Sequence, residues 1–292
     1  MAILPTGTLA AKGPVSTESD RKPLGLFSLL ALGINGTIGV GIFFAPSQVA
    51  AKATGYSGAW VFLLAGFALL PVAFVYSRLG GRFAEDGGPY VWARLAFGPQ
   101  VAFLIGFLTY ASALFSTATV ATGLSEHLSS AAGPGFFLGQ KGIAVTCTLL
   151  LALTAATGLR LSAMAWTSVT VLKLLPLILL SVLGIFAVFT GSGAPIAASD
   201  TSRVNEIGRA LLVVVFALQG FEIVPVLAGS SHSERGVPLA TLGTLALCTL
   251  FYAVLHALCV RALPDLAAHK APLVGAAEVF GGPLSARIVG AG

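Results

Sequence analysis

The chain has 292 residues, of which 56% are hydrophobic and 9% charged, and a net charge of +5. Soluble domains carry about a quarter charged residues, so this composition excludes an ordinary soluble protein and places the chain in a membrane. The basic residues are scattered over short loops without a cluster, which excludes a nucleic-acid surface and fits anionic lipid head groups.

Residues 1–23 are polar and rich in Gly, Pro, Ser and Thr. They lack the apolar core and cleavage site of a signal peptide and are expected to form a disordered cytoplasmic tail. Four later stretches, 23–51, 53–77, 95–125 and 236–260, contain no Asp, Glu, Lys or Arg. Each exceeds the roughly 20 apolar residues that cross a bilayer. None shows the alternation of a transmembrane β-barrel strand. The spans are predicted at 24–51, 60–77, 100–124, 142–157, 162–189, 208–229 and 239–259, with an eighth starting near Leu273 and still running at Gly292. Turn clusters at 85–89, 131–135 and 191–200 separate them. With the N-terminus inside, eight basic residues fall on the inner side and six on the outer, a small excess in the direction of the positive-inside rule.

Two spans are predicted to break midway. Glycines 33, 36, 39 and 41 weaken the first repeatedly, and the run Phe216-Ala217-Leu218-Gln219-Gly220-Phe221-Glu222 interrupts the sixth. Broken backbone is tolerated in a membrane only where it lines a cavity or is buried in protein. Interrupted spans at matching positions of two repeats point to a transporter's substrate site, and spans one and six match when the repeat is five helices long. Small residues at spacings of three to four also build helix interfaces, but the second break favours a site.

Lys173 in span five and Glu222 in span six are the two full charges at mid-span. Such a charge costs about 2.5–3.5 kcal/mol on insertion scales, so it faces a cavity or a partner. Lys173 is read either as a titrating group that stands in for a metal cation when protonated, or as a static lysine satisfied by broken-helix carbonyls. Glu222 is read as a clamp on the N–H groups freed by unwinding, or as a gate. The amides of the glycine run and the N-terminus of the half-helix beyond it make an anion site suited to a carboxylate. Phe43, Phe44, Phe216 and Phe221 flank the breaks, with Phe216 the best placed to close over a substrate.

Cys147, Cys248 and Cys259 lie in apolar segments without metal-ligand spacing and are read as core residues. His127, His232, His256 and His269 do not cluster. The chain lacks a P-loop, a Rossmann fingerprint and a Gly-x-Ser-x-Gly elbow. No enzyme activity, cofactor, catalytic residue or metal site is expected.

Three motifs together resemble the amino acid–polyamine–organocation (APC) superfamily of permeases. They are Gly39-Val40-Gly41-Ile42-Phe43-Phe44-Ala45-Pro46, then Gly87-Gly88-Pro89-Tyr90-Val91-Trp92-Ala93-Arg94 with Phe97-Gly98-Pro99, and Phe216 to Glu222 with Val237-Pro238-Leu239-Ala240 after it. The resemblance covers residues 24–292. It implies an all-α polytopic membrane protein of the LeuT-type fold, with a first five-helix repeat at 24–190 and a second repeat at 208–292 that is incomplete, truncated within helix 8. It implies a secondary active transporter of amino acids in the cell membrane, with a cytoplasmic N-terminus, working by alternating access. The substrate carboxylate is then expected at the amides of Gly39, Val40 and Gly41. Its amino group is expected at carbonyls of Thr37, Ile38, Phe216 and Ala217, with Gly220 in the second break. Lys173 matches a fifth-helix lysine that stands where sodium-coupled relatives bind sodium, which implies a sodium-independent, proton-linked or exchanging mechanism. The partners expected are an amino acid, protons and the lipid bilayer, and no nucleic acid. A cationic amino acid or polyamine is the competing substrate, and Glu222, read as the available mid-span acid, tilts the expectation to a neutral one. The competing function is a non-transporting protein or truncated remnant of the same fold. The chain departs from the family at Val40, where Ser or Thr is frequent, and at Ser231-His232-Ser233-Glu234-Arg235, which lacks the usual Asn-Pro or Asp-Pro pair.

Overall fold

Glycine and proline set most of the helix boundaries in this chain. A computed structural model describes residues 25–83, 87–132, 139–156, 163–191, 204–226 and 235–291. The expected N-terminal tail, most of the 191–200 connection and residues 231–234 lie outside them. Every regular element among the described residues is a helix, as expected for an all-α polytopic membrane protein.

The first span is α1 (Leu26–Thr37) followed by α2 (Gly41–Ala50), bent by 55°. Ile38 turns extended, with φ −76° and ψ 94°, and ends α1. α3 (Ser57–Arg82) is the second span. α4 (Pro89–Phe97) is a short helix where the sequence predicts only a connection. Gly88 at φ 50° precedes Pro89 in the first turn, and Gly98 at φ 86° stops the helix before Pro99. α5 (Pro99–Ala132), α6 (Gly139–Ala156) and α7 (Ala163–Phe189) follow. α8 (Val204–Ala217) is about 21 Å long, too short for a bilayer core of about 30 Å, and continues past a break as α9 (Ile223–Val226). α10 (Gly236–Ala262), a 3-10 turn (Leu266–Ala268) and α11 (Pro272–Ala291) complete the described chain. Gly282 at φ 74°, before Pro283, kinks α11 at mid-length.

Four described helices are long and apolar enough to cross a membrane, over Ser57–Arg82, Pro99–Glu126, Leu172–Phe189 and Gly236–Ala262, and the bent α1–α2 pair makes a fifth. Their outward faces carry exposed apolar side chains such as Phe67, Phe103 and Phe186, which belong against lipid.

The core forms where small residues let helices approach closely. Gly58 of α3 sits against the His256 ring of α10, and Gly66 against Thr249, so the two helices run antiparallel in contact. Gly33 of α1 packs on Thr244 of α10. Leu29, Ile42, Phe62, Leu218, Leu245 and Tyr252 are fully enclosed, which places both broken helices at the centre of the packing.

Candidate functional site

The two breaks abut backbone to backbone. A Cβ on Gly36 would lie 3.1 Å from the Gly220 carbonyl oxygen, and one on Gly41 would lie 3.2 Å from the Ala217 Cα. A Cβ on Gly220 would overlap the Gly36 carbonyl and the Thr37 nitrogen. Gly220 also sits at φ 125°, a conformation that favours glycine.

The first break exposes two helix ends of opposite polarity. The carbonyl end of α1 faces Lys173 of α7, whose Nζ donates to the Asn35 oxygen at 2.6 Å and the Ile38 oxygen at 2.5 Å. Asn35 and Ile38 are buried, so Lys173 supplies donors where water does not reach. The Tyr252 hydroxyl donates to the neighbouring Thr37 oxygen at 3.0 Å. The amide end of α2 is different. Among the described residues, no group accepts a hydrogen bond from the N–H of Gly39, Val40 or Gly41.

At the second break, the N–H groups of Leu218 and Gln219 donate to the Val214 and Phe216 oxygens, tightening the last turn of α8. Glu222 folds back, and its Oε2 accepts the Gly220 N–H at 2.7 Å. That is the geometry of a clamp on unwound backbone.

A cavity of about 670 Å³ opens beside the breaks. α2 lines it with Val40, Gly41, Phe44 and Gln48, and α8 with Leu212, Val213 and Phe216. α5 adds a helical stripe that includes Phe115, Thr119, Thr122 and Glu126. Of the residues singled out from the sequence as contacts for substrate, Val40, Gly41 and Phe216 reach this cavity. Thr37, Ile38 and Ala217 are buried behind it, Gly39 is exposed at the break, and Gly220 faces Gly36. The carbonyls of Thr37 and Ile38 already receive Tyr252 and Lys173. Lys173 and Glu222 brace the two breaks and stand outside the cavity lining.

Sequence reasoning missed Tyr252 and Glu126. A buried tyrosine hydroxyl needs a partner, and Tyr252 lies in a charge-free span, which was the available signal. Glu126 directly follows a charge-free run and reads as its boundary. Tyr252→Phe leaves the Thr37 oxygen without this donor. It is expected to cost about 1 kcal/mol, seen as a lower midpoint of thermal unfolding, and an unchanged midpoint would show the bond to be idle.

The amino acid permease family matches residues 24–291 of the chain. A methylthioribose transporter of Bacillus subtilis is 27% identical over 264 residues, 85% of this chain and 56% of the relative. A chloroplastic cationic amino acid transporter of Arabidopsis thaliana is 29% identical over 272 residues, 86% of this chain and 47% of the relative. An arginine/ornithine antiporter of Pseudomonas aeruginosa is 30% identical over 240 residues, 78% of this chain and 49% of the relative. The chain thus spans about half the length of the curated relatives it matches. With its apolar helices and interrupted first span, the chain is a multi-pass membrane protein of the amino acid permease family, within the APC superfamily.

Proposed function

We propose that the chain provides the substrate site of a sodium-independent secondary transporter for amino acids. One observation carries the reading. Two broken helices meet backbone to backbone, and the amides of Gly39, Val40 and Gly41, which have no partner among the described residues, sit beside a cavity lined in part by the same helices. Unpaired amides at a half-helix N-terminus favour a carboxylate. The relatives' names, which include a cationic amino acid transporter and an arginine/ornithine antiporter, support transport of this class of molecule.

In this reading the N-terminus is cytoplasmic, residues 24–190 form one repeat and a second begins at 208. The two repeats rock about the shared site and open it to each side in turn. The substrate's amino group uses carbonyls at the breaks; that of Ala217, just behind the lining, receives no N–H among the described residues and becomes available when the breaks move. Phe44 and Phe216 close over the side chain. Lys173 couples a proton to the cycle. As an ammonium it ties α1 to α7 through two carbonyls, and as an amine it weakens that tie and frees the break to move. Glu222 keeps the second break wound tightly enough to return.

Gly41 tests the site. Its position leaves only 3.2–3.3 Å between a Cβ and Ala217, and it lines the cavity. Gly41→Leu is expected to abolish binding of a labelled amino acid by the purified full chain. Val40→Phe fills the same cavity from a partly exposed position and separates blocking from misfolding. Normal binding in both variants, with the protein folded, would remove the cavity as the substrate site.

A further inference from the structure

A groove of about 440 Å³ lies where α3, α4 and α5 meet, away from the two breaks, and every residue that lines it is apolar. Its mouth stands at the edge of the hydrocarbon. α3 carries no charge before Arg78, and Arg78 and Arg82 fall in its last turns, so this end of the helix is at head-group level. Leu79 and Phe83 line the groove from that end. Val101 and Ile105 line it from the first turns of α5, inside a charge-free run. These two lie four residues apart, about 6 Å along the axis, so the groove runs inward from the interface. We infer that it is a binding site for one anionic phospholipid of the bilayer, with an acyl chain along the apolar floor and the phosphate at Arg78 and Arg82.

The floor is held rigidly by α4. The Trp92 ring stands edge-on to Tyr76 of α3, with centroids 5.4 Å apart. A Cβ on Gly106 of α5 would lie 3.1 Å from the Tyr90 ring, which seats the other side of α4. Ala93 and Ala96 are too short to fill the space between the helices, and so the groove stays open. Its rim is bare: Leu95 is 57% exposed and Phe97 73%. α4 has nine residues, about 13.5 Å, and cannot cross the bilayer, so this apolar rim lies at the interface where lipid tails begin. A tail lying in the groove covers the remaining side of α4.

The charge of the occupant follows from the two arginines. Both are exposed, and among the described residues neither enters an ion pair. The Arg78 guanidinium lies 5.2 Å over the ring of Phe74, which is itself half exposed, so this stripe of α3 is turned towards lipid. Arg82 follows one turn on, about 6 Å further along the same face. Guanidinium groups bind phosphate through paired charge-assisted hydrogen bonds. A lipid with net negative charge gains from both arginines, whereas a zwitterionic one brings a cation of its own.

The test titrates the purified full chain in detergent with palmitoyloleoyl-phosphatidylglycerol and with palmitoyloleoyl-phosphatidylcholine, and reads bound lipid by native mass spectrometry. The wild type is expected to favour the phosphatidylglycerol by tenfold or more, and Arg78→Gln and Arg82→Gln to lower that ratio about fivefold each. Lys141→Gln is the charge control. It adjoins Gln140, which bonds to Glu126 at the other end of α5, about 37 Å from Val101, and is expected to leave the ratio unchanged. Ala96→Trp fills the groove from an exposed position and is expected to weaken both lipids about tenfold or more, with Ala96→Leu as the milder form. Matching thermal unfolding midpoints without lipid verify that the variants are folded. Equal affinity for the two lipids in the wild type would mean that the nearby acids Glu85 and Asp86 cancel the arginines, and would overturn the inference. So would an equal fall in Lys141→Gln, which would make the attraction diffuse, or unchanged binding in both Ala96 variants. A dimer that forms without lipid and dissociates in Ala96→Trp would give the groove to a second copy of the chain, and would overturn it too. No substrate enters the experiment, so its outcome is independent of the proposed function.

Discussion

Replacing Lys173 with methionine is expected to flatten the pH profile of amino acid binding and uptake from about pH 5 to about pH 9. Stability is a poor readout for this change, because two effects oppose. Removing the ammonium leaves the buried Asn35 and Ile38 oxygens without its donors, at about 1–3 kcal/mol for each unsatisfied group. It also removes a mid-span charge that costs about 2.5–3.5 kcal/mol to insert. The two effects overlap in size, so the sign of the net shift does not report on the residue's role, whereas loss of a proton-exchanging group does. Lys173→Arg separates the two readings of the residue. Arginine stays protonated throughout this range, so it supplies donors but does not titrate. If Lys173 is a static brace, Lys173→Arg restores the wild-type pH profile. If it couples protons, Lys173→Arg holds the carbonyls and the profile stays flat. A wild-type profile in Lys173→Met would remove Lys173 from the coupling step altogether.

Lys173 was legible in the sequence because a lone charge in an apolar run has no bland address. Carbonyls of a broken helix were one of the two readings of its surroundings; which carbonyls was not legible, since Asn35 and Ile38 lie 138 and 135 residues away in the chain. The breaks were legible for a related reason. Glycine is costly inside a helix, and a repeated cost at Gly33, Gly36, Gly39 and Gly41 marks where winding stops. The sequence also carried the signals for α4, Gly88-Pro89 and Gly98-Pro99, and for the kink in α11, Gly281-Gly282-Pro283. Those signals read as connections or passed unread because helical periodicity between them is short or absent. Glu126 depended on which face of α5 meets the cavity. That face is fixed by the contact of Gly123 with Phe44, a packing event across two helices that no local pattern encodes.

Gly220→Ala is expected to be the most damaging Gly→Ala change among the described glycines. Two costs add. At φ 125° the backbone conformation disfavours any side chain, worth about 1–3 kcal/mol. The new Cβ would also overlap the Gly36 carbonyl and the Thr37 nitrogen. Those are backbone atoms within the opposite break, so no rotamer change relieves the clash and the two breaks must separate. Separation disturbs the same turn that Lys173 and Tyr252 hold through the Asn35, Ile38 and Thr37 oxygens. A loss of about 3 kcal/mol or more corresponds to a drop in the unfolding midpoint on the order of 10 °C, together with loss of ligand binding. Gly39→Ala is the matched control. Its Cβ would meet nothing within 4 Å, so the same chemical change in the facing break is expected to leave the midpoint unchanged or slightly raised. Gly36→Ala falls between them, because Ile223 Cγ2 at 3.0 Å and the Gly220 oxygen at 3.1 Å must each give way by a few tenths of an ångström. The order Gly39, Gly36, Gly220, from mild to severe, follows from how closely each α-carbon approaches the other break. Equal midpoints for Gly39→Ala and Gly220→Ala would mean that the breaks do not touch, and the shared site beside them would lose its foundation.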